Sequence, residues 1–162
     1  MGQSLIVKTV DFGYELLIKI GTALQALFLL IFRLYWGWHF FATGKGKLIG
    51  HDHTVEFFTK LNIPAPNFNA WFVGGVECFG GLFLLVGLCA RPVAFMLTIN
   101  MLVAYLSVAD DRSALFGIFQ DPEPFLDAEP FFFLLTAVIV FVFGPGLISV
   151  DALLKRYVFK RK

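Results

Sequence analysis

Arg33 and Glu77 each stand inside a long apolar run, where a charge has to have a use or a partner. The first run extends from about Ile20 to Thr43 and the second from near Phe68 to near Cys89. Counted from the outer ends at ~1.5 Å per residue, Arg33 lies roughly 15 Å deep and Glu77 roughly 13 Å. A lone charge at that depth costs on the order of 3 kcal/mol. Opposite charges at matched depth on neighbouring antiparallel helices offset that cost, so an Arg33–Glu77 pair is expected. Chemically, such a pair supplies a cation for an oxygen of a quinone headgroup or small anion, and a carboxylate that accepts a proton. Asn100 and Thr136, on later runs and roughly 10–12 Å deep, extend it to a polar belt. Gly37, Gly74 and Gly81 lie on the same faces, where small residues let backbones approach. The competing reading is an ion pair that only fixes helix register.

Other residues divide in the same way. His39 lies a turn and a half beyond Arg33 and carries the side chain most used to pass protons. It either connects the outer side to Glu77 or bonds a loop carbonyl at the interface, and Tyr105 reaches a similar depth. Trp36 and Phe40 share the Arg33 face at helical spacing. They either line an aromatic slot for a quinone ring or join Tyr35, Trp38 and Phe41 in an interfacial belt. His51-Asp52-His53 offers zinc or copper donors, but the two rings diverge in an extended loop, so a solvated loop is expected and no metal site is assigned. Cys78 and Cys89 fall roughly 16 Å apart on one helix and cannot pair. The chain has no Cys-x-x-Cys, no nucleotide-binding glycine loop and no Ser/His/Asp arrangement. Nothing in it does phosphoryl or hydride chemistry alone.

Membrane helices must position these groups. Of 162 residues 58% are hydrophobic and only 15% charged, against about 45–50% and about 25% in soluble domains, and mean hydropathy is +0.77. Four runs, about 20–43, 69–89, 92–109 and 130–147, predict an all-α, four-helix transmembrane bundle forming one membrane domain over residues 1–162. Gly44-Lys-Gly-Lys47 is read as closing the first span. Short amphipathic segments are expected at both ends, over 4–19 and 152–162, and near Glu56–Lys60 in the first outer loop. The second outer loop, Asp110 to Glu129, is long enough to cover the bundle mouth. Lys8, Lys19, Arg91, Lys155, Arg156, Lys160, Arg161 and Lys162 flank one face, and only Lys45, Lys47, Lys60 and Arg112 the other. The positive-inside rule then puts both termini in the cytoplasm. Acidic outer loops and a net charge of +1 leave no case for nucleic acid.

Four stretches, in order, resemble the DoxX family of small four-helix membrane proteins. They are Arg33-Leu-Tyr-Trp-Gly-Trp-His through Lys47-Leu48, Gly75-Val-Glu77-Cys-Phe-Gly80-Gly81, Gly87-Leu-Cys-Ala-Arg91, and Gly144-Pro-Gly146-Leu-Ile-Ser149-Val-Asp151. The likeness covers roughly residues 25 to 155. It implies a multi-pass protein of the bacterial inner membrane whose relatives include subunits of quinone-linked and thiol-linked oxidoreductase systems. The expected function is a subunit of that kind, with Arg33, Glu77, His39, Asn100, Thr136 and Tyr105 as ligand or proton-relay groups. The cofactor stays open, with a quinone as the candidate, and lipids, other membrane or oxidoreductase subunits or further copies of the chain are the expected partners. Whether the chain itself turns anything over stays open. A purely structural or assembly subunit is the alternative, and a small-solute transporter a weaker third, since four helices without an inverted repeat leave little room for alternating access.

Overall fold

No proline interrupts the chain before Pro64, so nothing there removes a helical hydrogen bond. The computed structural model describes residues 5–158 and shows one long helix, α1 (Leu5–Ile49). The basic end 160–162 lies outside the described residues. Gly50 bends the chain and a new helix starts after it: its N–H donates to Gly46 O, and its carbonyl accepts from Thr54 N. Then follow α2 (His51–Lys60), α3 (Pro66–Val86), α4 (Ala90–Ser107), α5 (Ala109–Gly117), α6 (Glu123–Asp127), α7 (Phe131–Phe143) and α8 (Val150–Tyr157). No strand occurs among the described residues. Helices α1, α3 and α4 are long and apolar enough to cross a membrane. At 13 residues, α7 is about 20 Å long. Contacts run from α1 to α3, α3 to α4, α4 to α7, and α7 back to α1.

The first span is displaced from its expected position. Helix α1 meets its neighbours from about Leu29, which packs against Gly146, to Leu48, which packs against Gly74, not over 20–43. From Val10 to Phe28 it extends past the other helices, largely exposed. Gly44 does not end the helix, because it is pressed onto the Glu77–Cys78 backbone of α3, and Gly81 is pressed in turn onto the backbone of α1 at Gly37 and Phe41. A β-carbon at either site has no room, so helix packing overrides glycine's weak helix propensity. The expected loop around His51–His53 is likewise the first turn of α2.

The end of the bundle where α3 turns into α4 is closed by a clasp. Arg33, 1% exposed, donates from Nη2 to Ile148 O at 2.5 Å. Ser149 caps α8 by accepting from Ala152 N at 3.1 Å and donates to Gly146 O at 2.9 Å. Asp151 accepts from Cys89 N and Ala90 N, each at 2.8 Å, and so satisfies the first free N–H groups of α4. Its own N–H donates to Gly87 O at 3.0 Å. Gly87 stands at φ 69° with Arg33 Nη1 and Ser149 Cβ where a side chain would begin. Arg91 Nη2 donates to Val142 O at 3.3 Å, tying α4 to α7. The opposite, loop-bearing end is covered in part by α5 and α6, where Phe125 stacks on Tyr105 at 5.0 Å. There, burial and the nearby Asp110 and Glu129 carboxylates push the Asp111 carboxyl above its ordinary range.

A methyl group on Gly87 must displace Arg33 or Ser149 and also hold a left-handed backbone. The Gly87→Ala variant is expected to lose on the order of 2–4 kcal/mol of stability, seen as a lower unfolding midpoint in detergent. Asp151→Asn keeps one acceptor oxygen and is expected to lose only ~1 kcal/mol.

Candidate functional site

The buried charges have other partners than their counted depths suggest. Glu77, 2% exposed on α3, is met from α1 by Lys47, whose Nζ donates to its two oxygens at 2.5 and 2.6 Å. From α4, Asn100 Nδ2 donates to Oε1 at 3.1 Å. The expected Arg33–Glu77 pair is therefore replaced by Lys47–Glu77, with Arg33 in the clasp. The reason is register. Depths counted from Thr43 assume that α1 ends there, whereas it continues to Ile49 and sets Gly44 opposite Glu77. Arg33 is then about 16 Å further along α1.

A carboxylate shut away from water without a partner costs several kcal/mol. Lys47 removes that cost while its stem remains near the surface: its side chain is 33% exposed against 2% for Glu77. Long amine side chains commonly place head and stem in different environments in this way. The centre is neutral overall and holds three donated hydrogen bonds on one carboxylate. Thr136 on α7 is fully buried, and its hydroxyl has no hydrogen-bond partner among the described residues. Packing of Phe95 on Phe141 sets α4 antiparallel to α7 so that Thr136 falls level with Asn100. The belt of Glu77, Asn100 and Thr136 is thus brought to one depth, with Lys47 as its cation.

The other expected site residues lie apart from it. His39 packs between the rings of Tyr35 and Trp36, at 4.6 and 5.5 Å, along a shallow outward groove with Leu34 and Trp38. It does not contact Glu77 because its face of α1 looks away from α3. Tyr105 belongs to the cap over the loop-bearing end, where its hydroxyl donates to Phe125 O at 2.9 Å. The slot expected beside Trp36 and Phe40 is filled: Trp36 stacks on Phe132 at 5.4 Å, and Phe40 meets Phe133 edge-on at 4.8 Å. His51 stacks on Trp71 at 4.4 Å, with Nε2 at 3.3 Å from Asn67 Oδ1. Both cysteines are free, Cys78 buried and Cys89 exposed.

Lys47 escapes notice in the sequence because it follows a glycine pair that resembles a helix end. The available signal is Glu77 itself, whose cost demands a cation, together with a lysine stem long enough to reach down from a helix terminus. An apolar cavity of about 430 Å³ between α3 and α4 also goes unread, bordered by Trp71, Phe72, Phe79, Phe83, Met96 and Leu97. Half-buried Asn100 is the next turn of α4 after Met96 and Leu97. Binding sites for small organic molecules are commonly built as an apolar cleft with few polar groups.

Among known proteins, the family model described as DoxX matches residues 28–110. A Bacillus subtilis protein named "Putative oxidoreductase CatD" is 29% identical over 79 residues, covering 49% of this chain and 58% of that protein. An uncharacterized protein of Haemophilus influenzae is 28% identical over 132 residues, covering 79% of this chain and 83% of its own length. The chain thus aligns with little more than half of the Bacillus relative. No solved structure matches it significantly.

The unequal burial of the pair predicts unequal costs. Lys47→Met strands a buried carboxylate and is expected to lose about 3–5 kcal/mol. In Glu77→Gln the lysine can turn to water, and the loss is expected to be ~1 kcal/mol. The Lys47→Met, Glu77→Met double variant is expected to regain most of the stability lost in Lys47→Met, measured by thermal unfolding of the purified protein.

Proposed function

Since the chain belongs to the DoxX family, we propose that it is a multi-pass membrane subunit of a quinone-linked oxidoreductase system, with its ligand site at Glu77, Lys47 and Asn100. One observation carries this: a buried, hydrogen-bonded carboxylate in an otherwise apolar interior, on a helix pair that also borders an apolar cleft. The name of the Bacillus relative agrees with oxidoreductase chemistry. When bound, a quinone supplies two-electron, two-proton chemistry at its ring oxygens. In this reading, Trp71, Phe72, Phe79 and Phe83 exclude water and hold the apolar part of the molecule. Asn100 and Lys47 donate hydrogen bonds to a ring oxygen, the part first assigned to Arg33. Glu77 takes or returns the proton, and the Thr136 hydroxyl is a further donor at the same level.

The accompanying topology is a four-helix transmembrane bundle in the bacterial inner membrane, with α7 as the short fourth crossing. The clasp end faces the cytoplasm, in keeping with Arg91, Lys155 and Arg156 near it. A second reading is favoured by the clasp: Arg33 is a buried charge that serves a structural contact, donating from Nη2 to Ile148 O, while its Nε and Nη1 have no hydrogen-bond partner among the described residues. Lys47–Glu77 would then order the bundle in an assembly subunit without a ligand.

Mass spectrometry of quinone in protein extracted with its lipids separates the two. Near-stoichiometric quinone in the wild type, lost in Glu77→Gln and in Asn100→Ala at unchanged fold, is the expected result. Wild-type protein free of quinone defeats the ligand reading and leaves the structural one.

A further inference from the structure

The two sides of Glu77 differ. Toward the clasp, the interior is a layer of Phe40, Leu84, Ala94, Leu97, Ala137 and Val140, every one at 0% exposure. Beyond that layer Arg33, Gly87 and Ser149 pack without space for a methyl group. Toward the loop-bearing end, the carboxylate is held by Lys47, whose side chain is one-third exposed. One turn above Lys47 stands His51, whose Nδ1 is buried without a hydrogen-bond partner among the described residues and whose Nε2 meets Asn67. Gly50 bends the chain between Lys47 and His51, and Thr54 Oγ1 on α2 donates to Lys47 O at 3.2 Å. The charged group in contact with Glu77 is Lys47 on α1. Helix α4 adds the neutral Asn100, and α7 offers only the Thr136 hydroxyl at that level.

We infer that Glu77 is a one-sided site: it exchanges protons with the aqueous phase at the loop-bearing face, past Lys47, and is sealed from the phase at the clasp. An ion or proton crossing the apolar layer would have no polar side chain to accept it, and taking a charge into such a layer is strongly unfavourable. The chain by itself therefore carries neither protons nor solutes across the membrane. The access argument stands on the packing alone. Its consequence for chemistry rests on the ligand reading above: protons taken up or released by a ligand at Glu77 come from, or leave to, the loop-bearing face.

The test uses the unaltered protein in sealed vesicles of one orientation and their inverted counterparts. Labelling of exposed Cys89 by an impermeant maleimide reports which vesicles present the clasp. A membrane-impermeant quaternary-ammonium carbodiimide is added outside. It activates the Glu77 carboxylate, Lys47 Nζ displaces it to form an amide, and the carboxylate oxygen leaves in the urea. Peptide mass spectrometry reads the Lys47–Glu77 cross-link, with Glu77→Gln as its background. Cross-linking in vesicles that present the loop-bearing face, and its loss to background in those that present Cys89, is the expected result. Equal cross-linking from both faces, cross-linking from the clasp face alone, or none from either overturns the inference. Quinone content is independent of this readout, so failure of the ligand reading and failure of one-sided access are told apart.

Discussion

Gly44 on α1 and Gly81 on α3 let the two backbones touch, and every buried charge takes its place from that contact. With Gly44 opposite Glu77, the next turn of α1 holds Lys47 within reach of the carboxylate. The same register carries Arg33 to the far end of α3, against Gly87. A side chain at either glycine would separate the helices and leave both charges in an apolar interior without partners. Close packing of small residues is the usual means by which helices associate in lipid, where apolar side chains gain little from leaving one apolar phase for another.

The two charge centres answer the same electrostatic demand differently. Arg33 is enclosed by the Ile148 carbonyl, the tight turn at Gly87 and the capped helix α8, and joins three separate parts of the chain. Several of the motif residues that carry the family likeness gather at that end: Arg33, Gly87, Arg91, Gly144, Gly146, Ser149 and Asp151. Their roles are those of a joint. Lys47, Glu77 and Asn100 form a smaller centre that is neutral, directed into the interior and adjacent to an apolar cleft. Its cation keeps contact with water, whereas Arg33 does not. The clasp and the Lys47–Glu77 centre thereby stand at opposite ends of the same helix pair.

Between the two ends lies the dry layer around Phe40, Leu84 and Leu97. Trp36 and Phe40 contribute to closing it by packing on Phe132 and Phe133, so aromatic residues first read as a slot act as a seal. That layer gives the polar centre a direction.

Much of the protein could be read from its residues in order. Hydropathy is a local property, and it identified a helical membrane chain, the number and approximate position of its apolar runs, and the short α7. The cost of burying charge, also local, singled out Arg33, Glu77 and Asn100 as residues in need of explanation, and the order of motifs pointed to the family. The sequence alone did not decide which charge meets which. That depends on how far one helix slides along another, and the slide is set by glycine contacts between residues far apart in the chain. A displacement of about four turns along α1 exchanged Arg33 for Lys47 at Glu77. Hydropathy shifts little under such a displacement, whereas the identity of each buried partner depends on it entirely.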